Sequence, residues 1–545
     1  MQGYFALVLH AHLPFVRHPE HDRFLEESWL FEAITEVYVP LLRLLEGWQR
    51  DRLPTRITLT LTPPLCAMLE DALLQARYRR HLDELIDLAG KEIHRTTWEP
   101  RLRQLAAFYF EHFRRIRDFY SARGGDLLGA FREFQEQGLL EIITSAATHA
   151  LLPLLANHPP SLRAQILVAR DEYRRYFGRD PRGIWLPECA YADSVDAALR
   201  EAGLRWFIVD THGILHANPP PEMGTFAPII TPAGLAAFGR DRASARQVWS
   251  RHEGYPGNPC YRDFYRDIGF DLDLEYLKTY LLAPNSRSFT GFKYHRITGR
   301  SEPKEVYERQ AAVRVADEHA AHFLQARMAQ IQSATPVLGR PPLVLAPYDA
   351  ELFGHWWYEG PEFLDLFMRK AACDQEVFTL TTPEEYLQAE RIQQVATPAA
   401  SSWGGGGYFG VWLNEKTEWI YPHLHAAQER MTELAEMYSR RDGAGEQTAG
   451  PIQPGVLLGS APPMHCRALS QAARELLLAQ ASDWPFILRT GTSPEYARLR
   501  VTTHLKRFTA LYEQLKAGVV DVPALEKIEA QDNIFPRVDW RYWLP

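Results

Sequence analysis

Short apolar runs that stop at polar residues recur through the first 400 positions, and helix-periodic stretches fill most of the gaps between them. The runs are Tyr4–His10, Arg56–Leu61, Leu140–Thr144, Gly183–Leu186, Arg205–Asp210, Leu343–Ala346 and Val377–Thr381. Near-continuous apolar strands separated by helices belong to a parallel sheet covered on both faces, because the crossover helices leave neither face to water. Such strands, about seven of them, suit a closed or nearly closed barrel better than an open sheet. After the last run, Thr382-Pro383-Glu384-Glu385 offers an N-cap Thr, Pro at N1 and Glu at N3, which is how a helix following a strand should begin.

A chain of 545 residues has room for two or three domains. Residues 1–400 hold all the strand-like runs. Two stretches interrupt their alternation. Residues 68–137 are helical almost throughout, too long for one crossover, which predicts a protruding helical insertion at about 75–125. Residues 211–300 are rich in Pro, Gly and aromatics, as a lid or binding wall would be. Within them, 230–260 carries the glycines and aromatics of a flap that closes over a reacting group. Past Ala400 the Gly-rich connector Ser401–Gly410 leads into helical patterns near 420–440, 464–482 and 494–517. This predicts a mainly α-helical C-terminal domain over 401–545, with a Gly/Pro-rich loop at 441–463.

The net charge of −8 gives no global attraction to nucleic acid or to an anionic membrane, and fits a neutral substrate. The aromatic content of 12%, with 14 Trp, supplies flat faces with a polar handle of the kind that pack on sugar rings. The five widely spaced cysteines form neither a disulfide framework nor a metal motif and point to a reducing compartment. The first ten residues lack a basic leader and a cleavage site and read as a buried strand. No apolar run reaches the ~18 residues of a membrane span, so a cytoplasmic protein is expected.

Active sites of parallel barrels lie at the C-terminal ends of the strands. The polar residues at those ends are His10 and His12, Thr148 and His149, Glu188, Asp210 and His212, and Asp349 and Glu351. Glu188 follows Trp-Leu-Pro, and Asp349 follows Leu-Ala-Pro-Tyr. A carboxylate so placed is half-buried, and a buried charge is usually paired or working. This set serves three kinds of function. Two carboxylates can carry glycosyl transfer through a covalent intermediate. His10-Ala-His12 with an Asp can hold Zn²⁺, as in a barrel deacetylase. Without chemistry, the same face could simply bind glucan.

Five blocks in order resemble glycoside hydrolase family 57. They are His10-Ala-His-Leu-Pro14, Thr144-Ser-Ala-Ala-Thr-His149, Trp185-Leu-Pro-Glu-Cys-Ala-Tyr191, Pro347-Tyr-Asp-Ala-Glu-Leu-Phe-Gly-His-Trp-Trp357, and Ser401-Ser-Trp403 through Trp412. Within the family the chain is most similar to the 1,4-α-glucan branching enzymes. The resemblance implies a distorted (β/α)7 barrel with a helical insertion and a helical C-terminal domain, acting on amylose, amylopectin or glycogen without metal or cofactor. It implies Glu188 as nucleophile and Asp349 as acid/base of a retaining reaction. His10, His12, His149, Asp210 and His212 would hold the reacting glucose, and Phe270, Trp357, Trp403 and Trp412 would stack on sugar rings. Phe270 stands where branching enzymes of the family place a Trp. 4-α-Glucanotransferase and amylase activities share this scaffold, and the residues alone do not separate transfer from hydrolysis.

Overall fold

The structure, a computed structural model, describes residues 2–250, 253–283, 286–299, 304–443 and 463–545. Most of the loop predicted at 441–463 lies outside them. The described residues contain nine strands: β1 (Gly3–Ala11), β2 (Ile57–Leu61), β3 (Leu140–Ile143), β4 (Gly183–Ile184), β5 (Trp206–Val209), β6 (Ile229–Ile230), β7 (Ala236–Gly239), β8 (Leu343–Asp349) and β9 (Phe378–Leu380). β1 is the central strand. Its apolar run Phe5–Leu9 is buried on both faces, as a parallel strand between helical layers must be.

One sheet runs β3-β2-β1-β8 and the other β4-β5-β7-β6, all parallel except β6. Two seams join them into a ring. Trp185 N–H donates to Thr144 O at 2.8 Å beyond the end of β3, and Asp241 N–H donates to Leu345 O at 2.9 Å between β7 and β8. The barrel is therefore seven-stranded, made of β1, β2, β3, β4, β5, β7 and β8. Its membership differs from the sequence expectation in one place. Ala236–Gly239 is a barrel strand, and the run near Val377 is not. β9 pairs with Gly3–Phe5 of β1, below the point where β2 pairs with Val8–Ala11, and so extends that edge without closing the ring. The Ala-Ala-Phe-Gly strand escapes a sequence reading because it has no β-branched residue. The capping box at Thr382 and Glu385 forms as expected.

The helices Ala72–Arg95 and Pro100–Ala122 follow β2 as a long pair. The segment 211–300 holds more regular structure than its composition suggested. β7 is in the barrel, the helix Arg242–Trp249 buries Val248 completely, and Tyr255 is 8% exposed. The predicted flap is thus largely a packed wall, with residues 251–252 outside the description. No helix among the described residues is long and apolar enough to cross a membrane.

Beyond residue 420 the described residues are mainly helical, with Ile420–Gly443, Met464–Ala479, Asp483–Thr490, Pro494–Ala517 and Val522–Gln531. Its centre holds a buried ionic cluster. His504 Nδ1 lies 2.6 Å from Glu475, Arg500 donates to Asp532 at 3.2 Å, and Arg507 also pairs with Asp532. Removing one partner of such a cluster strands the others without water. Asp532→Ala is expected to destabilise the protein by about 3–5 kcal/mol, read as a lower denaturant midpoint.

Candidate active site

Strand register assembles the site. The β1–β8 pairing sets His10 directly beside Asp349, and the β1–β2 pairing sets His10 beside Thr60. One residue past these strands, His12 Nδ1 lies 3.0 Å from Thr62 Oγ1. His10 lies flat on Trp185, with ring centroids 4.4 Å apart and planes 7° apart. Its Nε2 is 3.0 Å from His149 Nε2, and His12 stacks on His149 at 3.8 Å. Four aromatic side chains thus lock one another before any substrate arrives.

Glu188 stands at the centre. Trp403 Nε1 donates to its Oε2 at 2.8 Å, and His149 Nδ1 lies 4.0 Å from its Oε1. Its side chain is 17% exposed, enough for a substrate atom to reach it. The backbone here is strained. Five non-glycine residues among those described have positive φ, and His149 (57°), Glu188 (61°) and Cys189 (49°) are three of them. Each such conformation costs of order 1–3 kcal/mol and persists where the surroundings enforce it, commonly at functional sites. Burial pushes the Glu188 carboxyl up to about 7, with the Asp483 charge adding to the rise and the Trp403 and Ser482 hydrogen bonds and His12 opposing it.

Asp349 is raised well above the usual carboxylate range, first by burial, then by the charges of Glu351 and Glu188, against the pull of Arg240. Glu351 accepts a 2.6 Å hydrogen bond from Tyr38, a residue of the π-helical turn Ile34–Tyr38. Burial holds His10 and His149 well below the usual imidazole value, so both are neutral. The site therefore pairs two carboxyl groups of elevated proton affinity with neutral imidazoles.

The other expected residues fall into two groups. Asp210 and His212 sit on the next strand end. Asp210 accepts from Thr211 N–H, and His212 Nε2 lies 2.7 Å from Gly407 O, which ties the Gly-rich connector to the barrel mouth. Phe270 is 45% exposed and lies edge-on to Phe289 at 5.2 Å, a face free for stacking on the wall. Trp357 and Trp412, in contrast, are each 1% exposed and offer no face to a sugar. Trp357 packs on Phe363 and Tyr261, and Trp412 fills the space over Gly404, where a Cβ would come within 2.6 Å of its ring. The exposed member of the Trp pair is Trp356, edge-on to Trp249 at 6.1 Å on the rim. Trp403 acts through its N–H on Glu188 and, with Arg240 lying over its ring at 5.4 Å, is not a free stacking platform.

Sequence reasoning missed Ser482 and Asp483. Ser482 Oγ lies 3.0 Å from His149 Nδ1, and Asp483 lies 3.0 and 3.2 Å from His12 Nε2. Nothing in Ala-Ser-Asp-Trp-Pro marks them, since Ser-Asp before a helix reads as an ordinary N-terminus. His12, His149 and Asp483 are close enough together to be considered as metal ligands. The geometry does not favour that use. The two imidazoles are stacked, so their in-plane lone pairs run side by side and do not converge, and each ring nitrogen already faces a hydrogen-bond partner.

Comparison with known proteins agrees with this architecture. Residues 6–400 match the model of glycosyl hydrolase family 57, and residues 423–543 match that of the 1,4-alpha-glucan branching enzyme C-terminal region. The chain is 33% identical over 574 aligned positions to the 1,4-alpha-glucan branching enzyme TK1436 of Thermococcus kodakarensis, covering 98% of this chain and 78% of the relative. Among solved structures, the alpha-amylase AmyC from Thermotoga maritima superimposes with a TM-score of 0.90 at 43% identity, covering 100% of this chain and 99% of that one. The GH57-type branching enzyme from Pyrococcus horikoshii does so with a TM-score of 0.85 at 32% identity, covering 100% and 97%. The two-carboxylate cleft, the barrel around it and the match over 6–400 have one common reading: the chain belongs to glycosyl hydrolase family 57.

Proposed function

We propose that this protein is a retaining α-glucan transglycosylase that cleaves an α-1,4-glucan and rejoins the released segment through an α-1,6 linkage. The match of residues 423–543 to the branching-enzyme C-terminal model carries this reading, because that region supplies residues to the catalytic pocket itself. Amylose, amylopectin or glycogen is the substrate, and the free state of all five cysteines suits a cytoplasmic enzyme.

In this reading Glu188 attacks the anomeric carbon while Asp349 gives its proton to the departing glycosidic oxygen. The elevated proton affinity of Asp349 keeps it protonated for that step. Once Glu188 is esterified its charge is gone, one of the influences holding the Asp349 proton disappears, and Asp349, having given its proton to the leaving group, stays ionised and available as the base. It then takes the proton of the acceptor's 6-hydroxyl as that oxygen displaces Glu188 from the anomeric carbon. His12 reaches the donor side with His10 and His149 buried behind it, and Trp249, Trp356 and Phe270 offer exposed faces.

Glu188→Gln removes the attacking oxygen and is expected to abolish cleavage and transfer, with activity falling by several orders of magnitude and the melting temperature kept. A variant retaining more than about a tenth of wild-type activity would show that Glu188 is not the nucleophile. The pH dependence follows from the second carboxyl. Asp349 must be protonated to act as acid, and the Glu351 charge helps keep it so. Glu351→Gln is therefore expected to move the alkaline limb of the kcat/KM profile to lower pH, and an unmoved limb would remove Glu351 from this role.

The AmyC likeness favours a second reading, hydrolysis. The two differ only in the second acceptor, a sugar hydroxyl or water. Incubation with amylose followed by enzymatic debranching separates them. Branching gives new α-1,6 linkages with few new reducing ends, whereas hydrolysis gives one reducing end per cleavage and no branches.

A further inference from the structure

The helix Asp483–Thr490 begins in an unusual way. Ser482 occupies its N-cap, where a Ser hydroxyl normally accepts a hydrogen bond from the first turn, yet no such bond is made. Asp483, at the first helical position, would ordinarily turn its carboxylate toward the helix dipole and water. Both side chains point instead into the pocket of a different domain. Ser482 is 2% exposed and sits between His149 and Glu188, and Asp483 reaches His12. The backbone enforces the arrangement, since Ser482 N–H donates to His149 O at 3.1 Å, Ala481 bridges Ala150, and Thr148 Oγ1 donates to Leu477 O.

We propose that Ser482 and Asp483 are positioning residues of the reaction, brought to the barrel by the helical domain. Ser482 holds His149, whose ring stands beside the Glu188 carboxylate, and Asp483 holds His12 and brings a negative charge into the pocket. The direction of these hydrogen bonds follows from donor and acceptor inventory. Ser482 Oγ lies 3.0 Å from His149 Nδ1 and Glu188 Oε1 lies 4.0 Å from the same nitrogen, so a proton on Nδ1 faces both acceptors. His149 Nε2 then carries a lone pair and accepts from His10 Nε2–H. That leaves His10 Nδ1 without a proton, and this buried nitrogen is indeed the one with no partner. Asp483 likewise accepts only, so His12 Nε2 carries a proton toward it.

The two residues act on Glu188 with opposite sign. The Ser482 hydrogen bond favours the ionised carboxylate, and the Asp483 charge disfavours it. The other titratable or charged groups around the pocket are His10 and His12 at the end of β1, His149 after β3, Cys189 next in the chain, Asp210 after β5, Arg240 after β7, and Asp349 and Glu351 at the end of β8. None of the four variants below removes any of them.

The inference rests on Glu188 as nucleophile. The test measures kcat/KM of the full-length enzyme on amylose across pH for Ser482→Ala, Ser482→Thr, Asp483→Asn and Glu188→Gln. Ser482→Ala is expected to lose about tenfold or more in kcat/KM and to move the acidic limb to higher pH, because the attacking form of Glu188 loses a donor. Its melting temperature should stay near wild type, because no cap is lost. Ser482→Thr keeps the hydroxyl and should restore the limb. Asp483→Asn keeps an acceptor for His12 but removes the charge, so its acidic limb should move to lower pH. A role in packing alone predicts no limb movement in any variant, and that result, or movement of both limbs in one direction, overturns the proposal. An active Glu188→Gln would instead overturn the nucleophile assignment on which it stands.

Discussion

The parallel pairing of β1 with β8 is the contact on which the site depends. It runs through seven consecutive residue pairs from Tyr4–Leu343 to His10–Asp349. Register in a sheet is all or nothing, because a slip of one residue turns every side chain to the other face. The run Phe5–Leu9 is buried on both faces, so side chains of different size must fit the packing on each side, and a slip would misfit both. Hydrophobic burial at the bottom of the strands therefore decides which polar residues meet at the top. The same logic fixes β2 on the other side of β1 and so delivers Thr62 to His12.

The chemistry draws on this packing in a second way. A carboxyl at the mouth of an apolar barrel gives up water on most sides, and burial is the first cause of elevated proton affinity at both Glu188 and Asp349. What separates their roles is their neighbours. Glu188 receives a hydrogen bond from Trp403, which favours its ionised form. Asp349 faces the charges of Glu351 and Glu188, which favour its protonated form. Two carboxyls in one pocket are driven toward opposite protonation states by a donor on one side and anions on the other.

The helical domain is part of this pocket. The Trp403 ring and the Gly-rich connector lie against Glu188 and His212, while Ser482 and Asp483 enter from the far side. Glu188, reached by residues of both domains, has its full surroundings only when they are docked. The strained backbone at His149, Glu188 and Cys189 is concentrated on the barrel side of that interface.

The barrel class was legible in the sequence, and Glu188, Asp349 and the neighbouring histidines could be singled out as strand-end residues, because both depend on local signals: apolar runs of strand length and the polar residues that end them. The same signals misled at two strands. Ala236–Gly239 lacks the β-branched residues that mark a strand, and Phe378–Leu380 has the right composition but only extends an edge. The tryptophans show the limit more sharply. Trp403, Trp412, Trp356 and Trp357 all lie in family-like blocks, yet one donates to Glu188, two are sealed in the core and one stands on the rim. Composition identifies an aromatic face, whereas its accessibility depends on what packs against it. Ser482 and Asp483 were invisible for the same reason. Their partners lie more than 300 residues away along the chain, and only docking of the two domains brings them within hydrogen-bond distance. Strand ends and the chemistry they carry are written in local sequence; the second domain's share of the pocket exists only in the tertiary structure, because it consists of contacts that no local pattern encodes.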